Sequence, residues 1–321
     1  MKKLLILSGK GGTGKTTLAG AFVRLGRVGA FADCDVDAPN LHLLYLDLPT
    51  PKTSDYYGMG VPEIDTSICN GCGICEAHCR FHAIEVQKGY AYCDSFACEG
   101  CGLCEYVCPQ HAIKMKPNVA GRTMLFTSTK ENVFGMEGEI SNSNSNDAII
   151  IMDNPVERSR VVFSSAELKM GSGTSGKLVS EVKKNLNDSA DEKETLAIID
   201  GSPGIGCPVI ASITGMDMVL IVAEPSISGI SDMQRLVDTA AFFGVRIAIC
   251  VNKADTNPQR TEDVRIFADS HNIPFLACIP YDENVLVATN SGKSIVDLGG
   301  LAADAIKTIF SQVKEYVFME R

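Results

Sequence analysis

Basic residues are scarce in this sequence. Over 321 residues, 29 Lys and Arg stand against 39 Asp and Glu, which gives a net charge of −10. A protein that binds DNA without sequence preference needs a basic face to displace the counterions of the phosphates, so we expect no nucleic-acid partner. With 45% hydrophobic and 21% charged residues, the chain is neither disordered nor fibrous, and its length allows two domains.

Long apolar runs are also absent. None approaches the roughly 18–20 residues that a membrane span requires, so we expect no stable membrane insertion. Residues 1–8 start like a signal peptide, but glycines end the apolar stretch too early, and we predict a cytoplasmic protein. The helical pattern at 301–318 has lysines offset by glutamates, which favours a packing helix over a membrane-surface helix.

Short apolar runs alternate with helical patterns over most of the chain. The runs lack polar alternation, which is typical of parallel strands buried on both faces. They cover residues 3–8, 28–32, 196–199, 218–223, 247–251 and 275–279, with helices predicted at 16–25, 228–243 and 261–270. This order predicts an α/β fold with a doubly wound, mostly parallel sheet. Further strands at the edge of the sheet are predicted at 124–127, 148–152 and 160–163.

The alternation stops between residues 61 and 117, where a short unit repeats with an offset of 29 residues. Nine of the thirteen cysteines fall there, eight of them in the two copies of the repeat, and in a cytoplasmic chain such a cluster indicates metal binding rather than disulfides. His-Ala-Ile follows the cysteines of both copies. We therefore predict a main domain, residues 1–60 and 118–321, and an inserted domain, residues 61–117.

Residues 9–16, which read Gly-Lys-Gly-Gly-Thr-Gly-Lys-Thr, fit the phosphate-binding loop between a strand and a helix. Its glycines let backbone N–H groups converge on phosphate oxygens at a helix N-terminus. Lys15 is predicted to reach the β- and γ-phosphates, and the Thr16 hydroxyl to ligate Mg²⁺.

The loop contains an additional lysine, Lys10, which narrows the choice among families of phosphate-binding-loop proteins. With it, the loop resembles the deviant Walker A loop of the MinD/ParA/nitrogenase-iron-protein ATPases. The resemblance implies that Lys10 crosses a homodimer interface to the partner's nucleotide. It also implies that Asp35, in a switch I segment at 33–40, positions the attacking water. Asp200, in a Walker B and switch II segment at 198–204, would then hold Mg²⁺ through water.

Residues 252–255 read Asn-Lys-Ala-Asp, a motif that leaves open whether the bound nucleotide carries guanine or adenine. In G proteins the aspartate of this motif hydrogen-bonds guanine, whereas the resemblance places adenine beside Asn252. Because Lys10 belongs to the ATP-using branch, we favour ATP. The predicted catalytic residues are Lys10, Lys15 and Asp35. The predicted nucleotide contacts are Gly11, Gly12, Thr13, Gly14, Lys15, Thr16, Thr17, Asp200 and Asn252.

The pattern Cys-x2-Cys-x2-Cys-x3-Cys, present twice, is the signature of bacterial two-cluster ferredoxins. Three cysteines of each copy hold one cluster, and the fourth reaches the other cluster. The first cysteine set is therefore Cys69, Cys72, Cys75 and Cys108, and the second cysteine set is Cys98, Cys101, Cys104 and Cys79. Zinc is the alternative, but a zinc ion needs only four ligands and has no use for the third Cys-x2 step. Arg80, where proline is usual, leaves the ligand Cys79 in place.

Together these motifs resemble a MinD-superfamily ATPase that carries an inserted two-cluster ferredoxin domain. The cofactors predicted are two [4Fe–4S] clusters, ATP and Mg²⁺. Eight ligating cysteines favour permanent clusters, and hence electron transfer over cluster donation. The predicted function is that of a homodimer in which ATP hydrolysis gates electron transfer to a redox or iron–sulfur partner protein. The alternatives are an iron–sulfur cluster carrier of the Mrp type and a ParA/MinD-like positioning ATPase with a redox sensor.

Overall fold

A computed structural model of the chain describes residues 1–45, 48–135 and 160–319. The strands are β1 (Lys2–Leu7), β2 (Ala30–Asp33), β3 (Lys52–Tyr57), β4 (Val61–Ile64), β5 (Ile84–Gln87), β6 (Tyr90–Cys93), β7 (Ile113–Lys116), β8 (Val119–Thr129), β9 (Arg160–Leu168), β10 (Leu196–Asp200), β11 (Met218–Ala223), β12 (Arg246–Asn252) and β13 (Phe275–Ile279). The helices are α1 (Lys15–Gly26), α2 (Ile74–His78), α3 (Leu103–Val107), α4 (Lys130–Phe134), α5 (Ser175–Ser189), α6 (Cys207–Ile213), α7 (Ile227–Phe242), α8 (Pro258–Ser270), α9 (Asn284–Asn290), α10 (Ile295–Leu298) and α11 (Leu301–Phe318).

Within the described ranges, nine strands form the main sheet, in the order β13-β12-β11-β1-β10-β2-β9-β8-β3. The strands from β13 to β9 are parallel, and β8 and β3 add an antiparallel edge. The predicted α/β fold with a mostly parallel sheet is confirmed. Edge strands predicted at 124–127 and 160–163 lie inside β8 and β9, whereas the one predicted at 148–152 falls outside the described residues.

Helices cover both faces of the sheet, which is why its central strands are apolar throughout. One core contains side chains of α1, α10 and α11, and the other contains side chains of α5, α6, α7 and α8. Helix α11 buries Ile306, Ile309, Phe310, Val313 and Val317, so the predicted packing role of residues 301–318 is confirmed. No helix in the described part of the chain is long and apolar enough to cross a membrane.

Residues 61–116 form two small antiparallel pairs, β4 with β7 and β5 with β6, and two short helices. The elements repeat with the offset seen in the sequence: β4 corresponds to β6, α2 to α3, and β5 to β7, each displaced by 29 residues. The chain leaves the main sheet after β3 and returns to it at β8, and these two strands pair with each other. The repeated unit is therefore attached at the antiparallel edge of the sheet.

Candidate functional site

The glycine-rich loop joins β1 to α1 and lines a cavity of about 620 Å³. Gly12 and Gly14 have φ values of 77° and 93°, a backbone conformation in which glycine carries no steric penalty. A Cβ at Gly14 would lie 2.3 Å from the side-chain nitrogen of Asn252. Among the residues predicted to contact nucleotide, Gly11, Gly12, Thr13, Gly14, Lys15, Thr16 and Thr17 line the cavity, together with Lys10 and Asp35.

Lys15 and Thr16 both contact Asp200 at the end of β10. The Lys15 Nζ lies 2.6 Å from one carboxylate oxygen, and the Thr16 hydroxyl donates to the other at 2.6 Å. Burial alone lowers the pKa of Lys15, but the charge and hydrogen bond of Asp200, together with the charges of Asp33 and Asp35, outweigh it, so the net pKa is raised and the amine is protonated. A buried cation and a hydroxyl beside one carboxylate provide the groups that phosphate oxygens and Mg²⁺ require.

Asp33 is a residue of this site whose role no sequence motif indicates. Strand β2 runs on to Asp33, past the predicted end at residue 32, and the side chain is fully buried. Its carboxylate accepts hydrogen bonds from the backbone N–H groups of Asp35, Asn40 and Leu41, each at 2.9 Å. Burial and the charge of Asp200 raise the pKa of Asp33 to about 7 against these donors. The sequence signal for this residue is an acidic side chain at the carboxyl end of a buried strand.

Asp35 and Lys10 both line the nucleotide cavity. Asp35 is half-buried, and burial raises its pKa against the opposing charge of Lys15. The Lys10 Nζ donates a short hydrogen bond to the Ser228 hydroxyl in α7. In this arrangement Lys10 reaches a residue of its own chain, so its predicted role across a dimer interface stays a prediction.

Segments 33–40 and 200–204 are joined directly. The Ser202 hydroxyl donates a short hydrogen bond to the carbonyl of Cys34, and the N–H of Cys34 donates to the carbonyl of Asp200 at 2.7 Å. The N–H of Gly204 donates to the carbonyl of Ser8, just before the phosphate-binding loop. A displacement of one of these segments therefore strains the hydrogen bonds of the other.

The motif at 252–255 contacts the phosphate-binding loop. The Asn252 side chain donates to the carbonyl of Thr13 at 2.7 Å, and the Lys253 Nζ lies 3.3 Å from the carbonyl of Gly12. The Asp255 carboxylate accepts from the N–H of Tyr281 at 2.7 Å. Asn252 thus supports the loop, and its predicted contact with the base stays a prediction.

The eight cysteines of the repeat line two cavities. Four residues of one cavity are the first cysteine set, Cys69, Cys72, Cys75 and Cys108. Four residues of the other are the second cysteine set, Cys79, Cys98, Cys101 and Cys104. Each cavity takes three cysteines from one copy of the repeat and the fourth from the other copy. The structure thus brings together the same cysteine sets that the spacing predicts. The cluster that each set binds stays a prediction.

Backbone N–H groups point at several of these sulfurs. Ala83 donates to the Cys79 sulfur at 3.3 Å, and Ala112 donates to the Cys108 sulfur at 3.4 Å. Burial raises the pKa of Cys104 to about 11 and also raises that of Cys75, as expected for thiols without a cation beside them. In the described ranges, no three His, Cys, Asp or Glu side chains converge closely enough to hold a single metal ion.

Comparison with known proteins identifies the main body. The CobQ/CobB/MinD/ParA nucleotide-binding domain matches residues 4–295. Over 320 residues, 98% of this chain and 97% of the relative, the chain is 32% identical to the uncharacterized protein MJ0578 of Methanocaldococcus jannaschii. A chloroplastic MinD homologue of Arabidopsis thaliana is 29% identical over 146 residues, 43% of this chain and 44% of that protein.

A solved structure supports the same fold. The septum site-determining protein MinD from Pyrococcus horikoshii, complexed with Mg-ADP, superposes with a TM-score of 0.54 at 17% identity, and the match covers 99% of this chain and 97% of that one.

Proposed function

The chain belongs to the CobQ/CobB/MinD/ParA family of nucleotide-binding domains, and from that premise we propose an ATPase that couples ATP turnover to electron transfer through two [4Fe–4S] clusters. One observation carries the proposal. A nucleotide-binding body holds a duplicated insert in which eight of the nine cysteines line two cavities in sets of four. The redox or iron–sulfur partner protein is part of the proposal.

Hydrolysis is proposed to follow from the contacts around Asp200. The Lys15 amine and the Thr16 hydroxyl, which both contact the Asp200 carboxylate, would hold phosphate oxygens and Mg²⁺ respectively once nucleotide binds. Asp35 holds the attacking water, while Lys10 of a second copy of the chain stabilises the charge that develops on the phosphate. The homodimer is thus part of the proposal.

ATP is favoured over GTP by the surroundings of Asp255. In the guanine-reading motif this carboxylate must be free to accept from the base edge. Here it already accepts from the backbone of Tyr281, which lies 26 residues further along the chain. The hydrogen bond holds one oxygen of the Asp255 carboxylate on the chain itself, which favours ATP.

The cysteine sets suit a four-iron cube better than a single ion. A cube takes one thiolate on each of its irons, so its four sulfurs stand apart around a cavity. A zinc ion requires four ligands at one point, about 2.3 Å from each sulfur, and no such convergence occurs in the described residues. When bound, the clusters would accept and release single electrons. The chain itself supplies the thiolates and the N–H donors that stabilise their negative charge.

Iron analysis tests the proposal. Protein purified without oxygen should contain about eight irons and eight acid-labile sulfides per chain. Cys72→Ser and Cys101→Ser, one in each cysteine set, should each lose the visible absorption and EPR signal of one cluster. Cys207→Ser is the matched control, since Cys207 is also exposed but lies outside both cavities. Zinc without iron in the wild-type protein contradicts the proposal.

A positioning ATPase is the second candidate, because the named relatives of the main body are septum site-determining MinD proteins. Those sequence matches cover less than half of this chain, whereas MJ0578 matches almost all of it, including the insert. Wild-type ATPase activity and partner binding in a variant with all eight cysteines replaced favour the positioning ATPase.

A further inference from the structure

The insert contains a ninth cysteine, Cys93, that belongs to neither cysteine set. Cys93 is the last residue of β6, and its side chain is half-buried. The repeat offset of 29 residues makes Ile64, the last residue of β4, its counterpart in the first copy. Because an isoleucine fills the equivalent position, the packing of the repeat does not itself require a thiol there.

Strand pairing turns the Cys93 side chain toward the second cavity. Cys93 lies opposite Ile84 in the pair of β5 with β6, and Ile84 lines the cavity of the second cysteine set. Residues directly opposite each other in an antiparallel pair project from the same face. In the first copy, Ile64 lies opposite Ile113, which lines the cavity of the first cysteine set. The second cavity thus has a thiol beside it where the first has an isoleucine.

The Cys93 sulfur lies among the sulfurs of the second cysteine set. It shares a hydrogen bond with the Cys98 sulfur, and Cys79 and Cys104 are close enough for their charges to act on it. The carbonyl of Asp94, at 3.7 Å, is a second acceptor for the Cys93 thiol. When Cys98 is a thiolate, the hydrogen bond between the two cysteines runs from the Cys93 thiol to the Cys98 sulfur. Cys93 is therefore a fifth sulfur beside a set of four.

We propose, on the basis of the proposed function, that Cys93 is a reserve ligand of the second cluster, able to replace Cys98 on its iron. Each iron of a cube takes one cysteine thiolate, and two sulfurs in hydrogen-bond contact can reach the same iron by a small rotation of their side chains. In the exchange, the bond from iron to the Cys93 sulfur forms and the bond to the Cys98 sulfur breaks. The Cys93 proton passes to Cys98 along their hydrogen bond, so the charge of the site and the oxidation state of the cluster stay the same.

Alanine substitutions in the whole protein, purified without oxygen, test this inference. Cys98→Ala should keep about eight irons and the EPR signal of the second cluster, because Cys93 takes the vacated iron. Cys98→Ala combined with Cys93→Ala should lose that signal and hold about four irons. Cys93→Ala alone should keep about eight irons, since the second cysteine set is complete. Cys69→Ala is the matched control, because it removes the equivalent ligand of the first cysteine set, beside Ile64, and should lose the first cluster.

A gain of function gives a second test that does not depend on Cys98→Ala. Ile64→Cys, added to Cys69→Ala, places a fifth cysteine beside the first cavity and should restore the iron and the EPR signal of the first cluster. If the first cluster stays absent in this double variant, the inference is overturned.

Two further outcomes overturn the inference and leave the proposed function intact. The first is a wild-type protein with both clusters beside a Cys98→Ala variant that binds ATP normally but has lost the second cluster. The second is loss of the second cluster in Cys93→Ala alone, which makes Cys93 a primary ligand and not a reserve. Wild-type protein that loads no iron overturns both the inference and the proposed function.

Discussion

The proposed role of Lys10 depends on a second copy of the chain. Its amine contacts Ser228 in helix α7 of the same chain, at an exposed site beside the nucleotide cavity. A hydrogen bond between exposed groups contributes little, so this contact does not hold the lysine in place. Lys10 is thus free to leave Ser228 for a phosphate when another subunit approaches.

Replacing Lys10 with alanine should leave ATP binding intact and nearly abolish hydrolysis. A cation supplied in trans is worth about 10³–10⁵ in rate. Ser228→Ala is the control, because it removes the contact within the chain without removing the cation, and its hydrolysis should stay at the wild-type rate. The measurements are ATP affinity and single-turnover hydrolysis. Hydrolysis by Lys10→Ala at the wild-type rate contradicts the trans-lysine role.

Asp33 should act on the rate of hydrolysis and not on binding. Its buried carboxylate holds three backbone N–H groups of the segment that carries Asp35. Without them the Asp35 carboxylate loses its position, and a displacement of about 1 Å costs on the order of 10²-fold in rate. We expect Asp33→Ala to lower kcat by about that factor at an unchanged ATP affinity.

The control for Asp33→Ala is Asp269→Ala, an exposed carboxylate in α8 that does not line the nucleotide cavity and should leave kcat near its wild-type value. Steady-state kinetics of both variants separate kcat from KM. Equal losses in the two variants exclude a specific role for Asp33.

At the scale of elements, apolar strands were predictable and polar ones were not. The runs at 196–199 and 218–223 lie in β10 and β11, because strands buried on both faces are apolar throughout. Strand β3, Lys-Thr-Ser-Asp-Tyr-Tyr, lies at the sheet edge with mostly exposed side chains, so its sequence carries no hydrophobic signal. The antiparallel edge depends on pairing between distant segments, which periodicity does not reveal.

The candidate site divides in the same way. The phosphate-binding loop and the cysteine sets were predictable because their chemistry fixes residue types at fixed spacings. The hydrogen bonds of Asp33 are local, but they depend on the path of an irregular segment that has no periodic pattern. The bond from Ser202 to Cys34 was not predictable, since it joins residues 168 positions apart. Contacts of that kind follow from the sheet order, which brings β2 next to β10.

Helix α11 offers a test of packing at this scale. Its Phe310 contacts Phe22 of α1 with ring centroids 5.0 Å apart, and Ile309 beside it is fully buried. Ile309→Ala should lower the free energy of unfolding by about 2–5 kcal/mol. Leu301→Ala, on the same helix but 73% exposed, should change it by no more than about 0.5 kcal/mol. Urea denaturation measures both, and equal effects contradict the packing role.

At the scale of the whole molecule, the nucleotide cavity and the insert share a boundary. Asp37, on the segment that follows Asp35, lines the nucleotide cavity and also a second cavity of about 890 Å³. Glu99, between two cysteines of the second set, lines that second cavity as well. A Cβ at Gly173, in the connection from β9 to α5, would lie 2.4 Å from the Glu99 carboxylate. This second cavity and Glu99 therefore form a short route by which a movement of the segment that carries Asp37 can reach the second cysteine set.

This route leads to the last prediction, that ATP and ADP states differ in cluster potential or in the rate of electron delivery. A segment ordered by the γ-phosphate and released on hydrolysis has two arrangements, and each gives the insert different surroundings. Asp35→Ala should trap the ATP state, because it removes the positioning of water and leaves the phosphate-binding loop intact. A tenfold preference between states appears as about 59 mV in a one-electron potential, which EPR-monitored titration resolves. Asp35→Ala with ADP is the control for the substitution itself, and partner reduction rates in the same states test delivery. If neither quantity changes with nucleotide, the insert moves electrons independently of ATP.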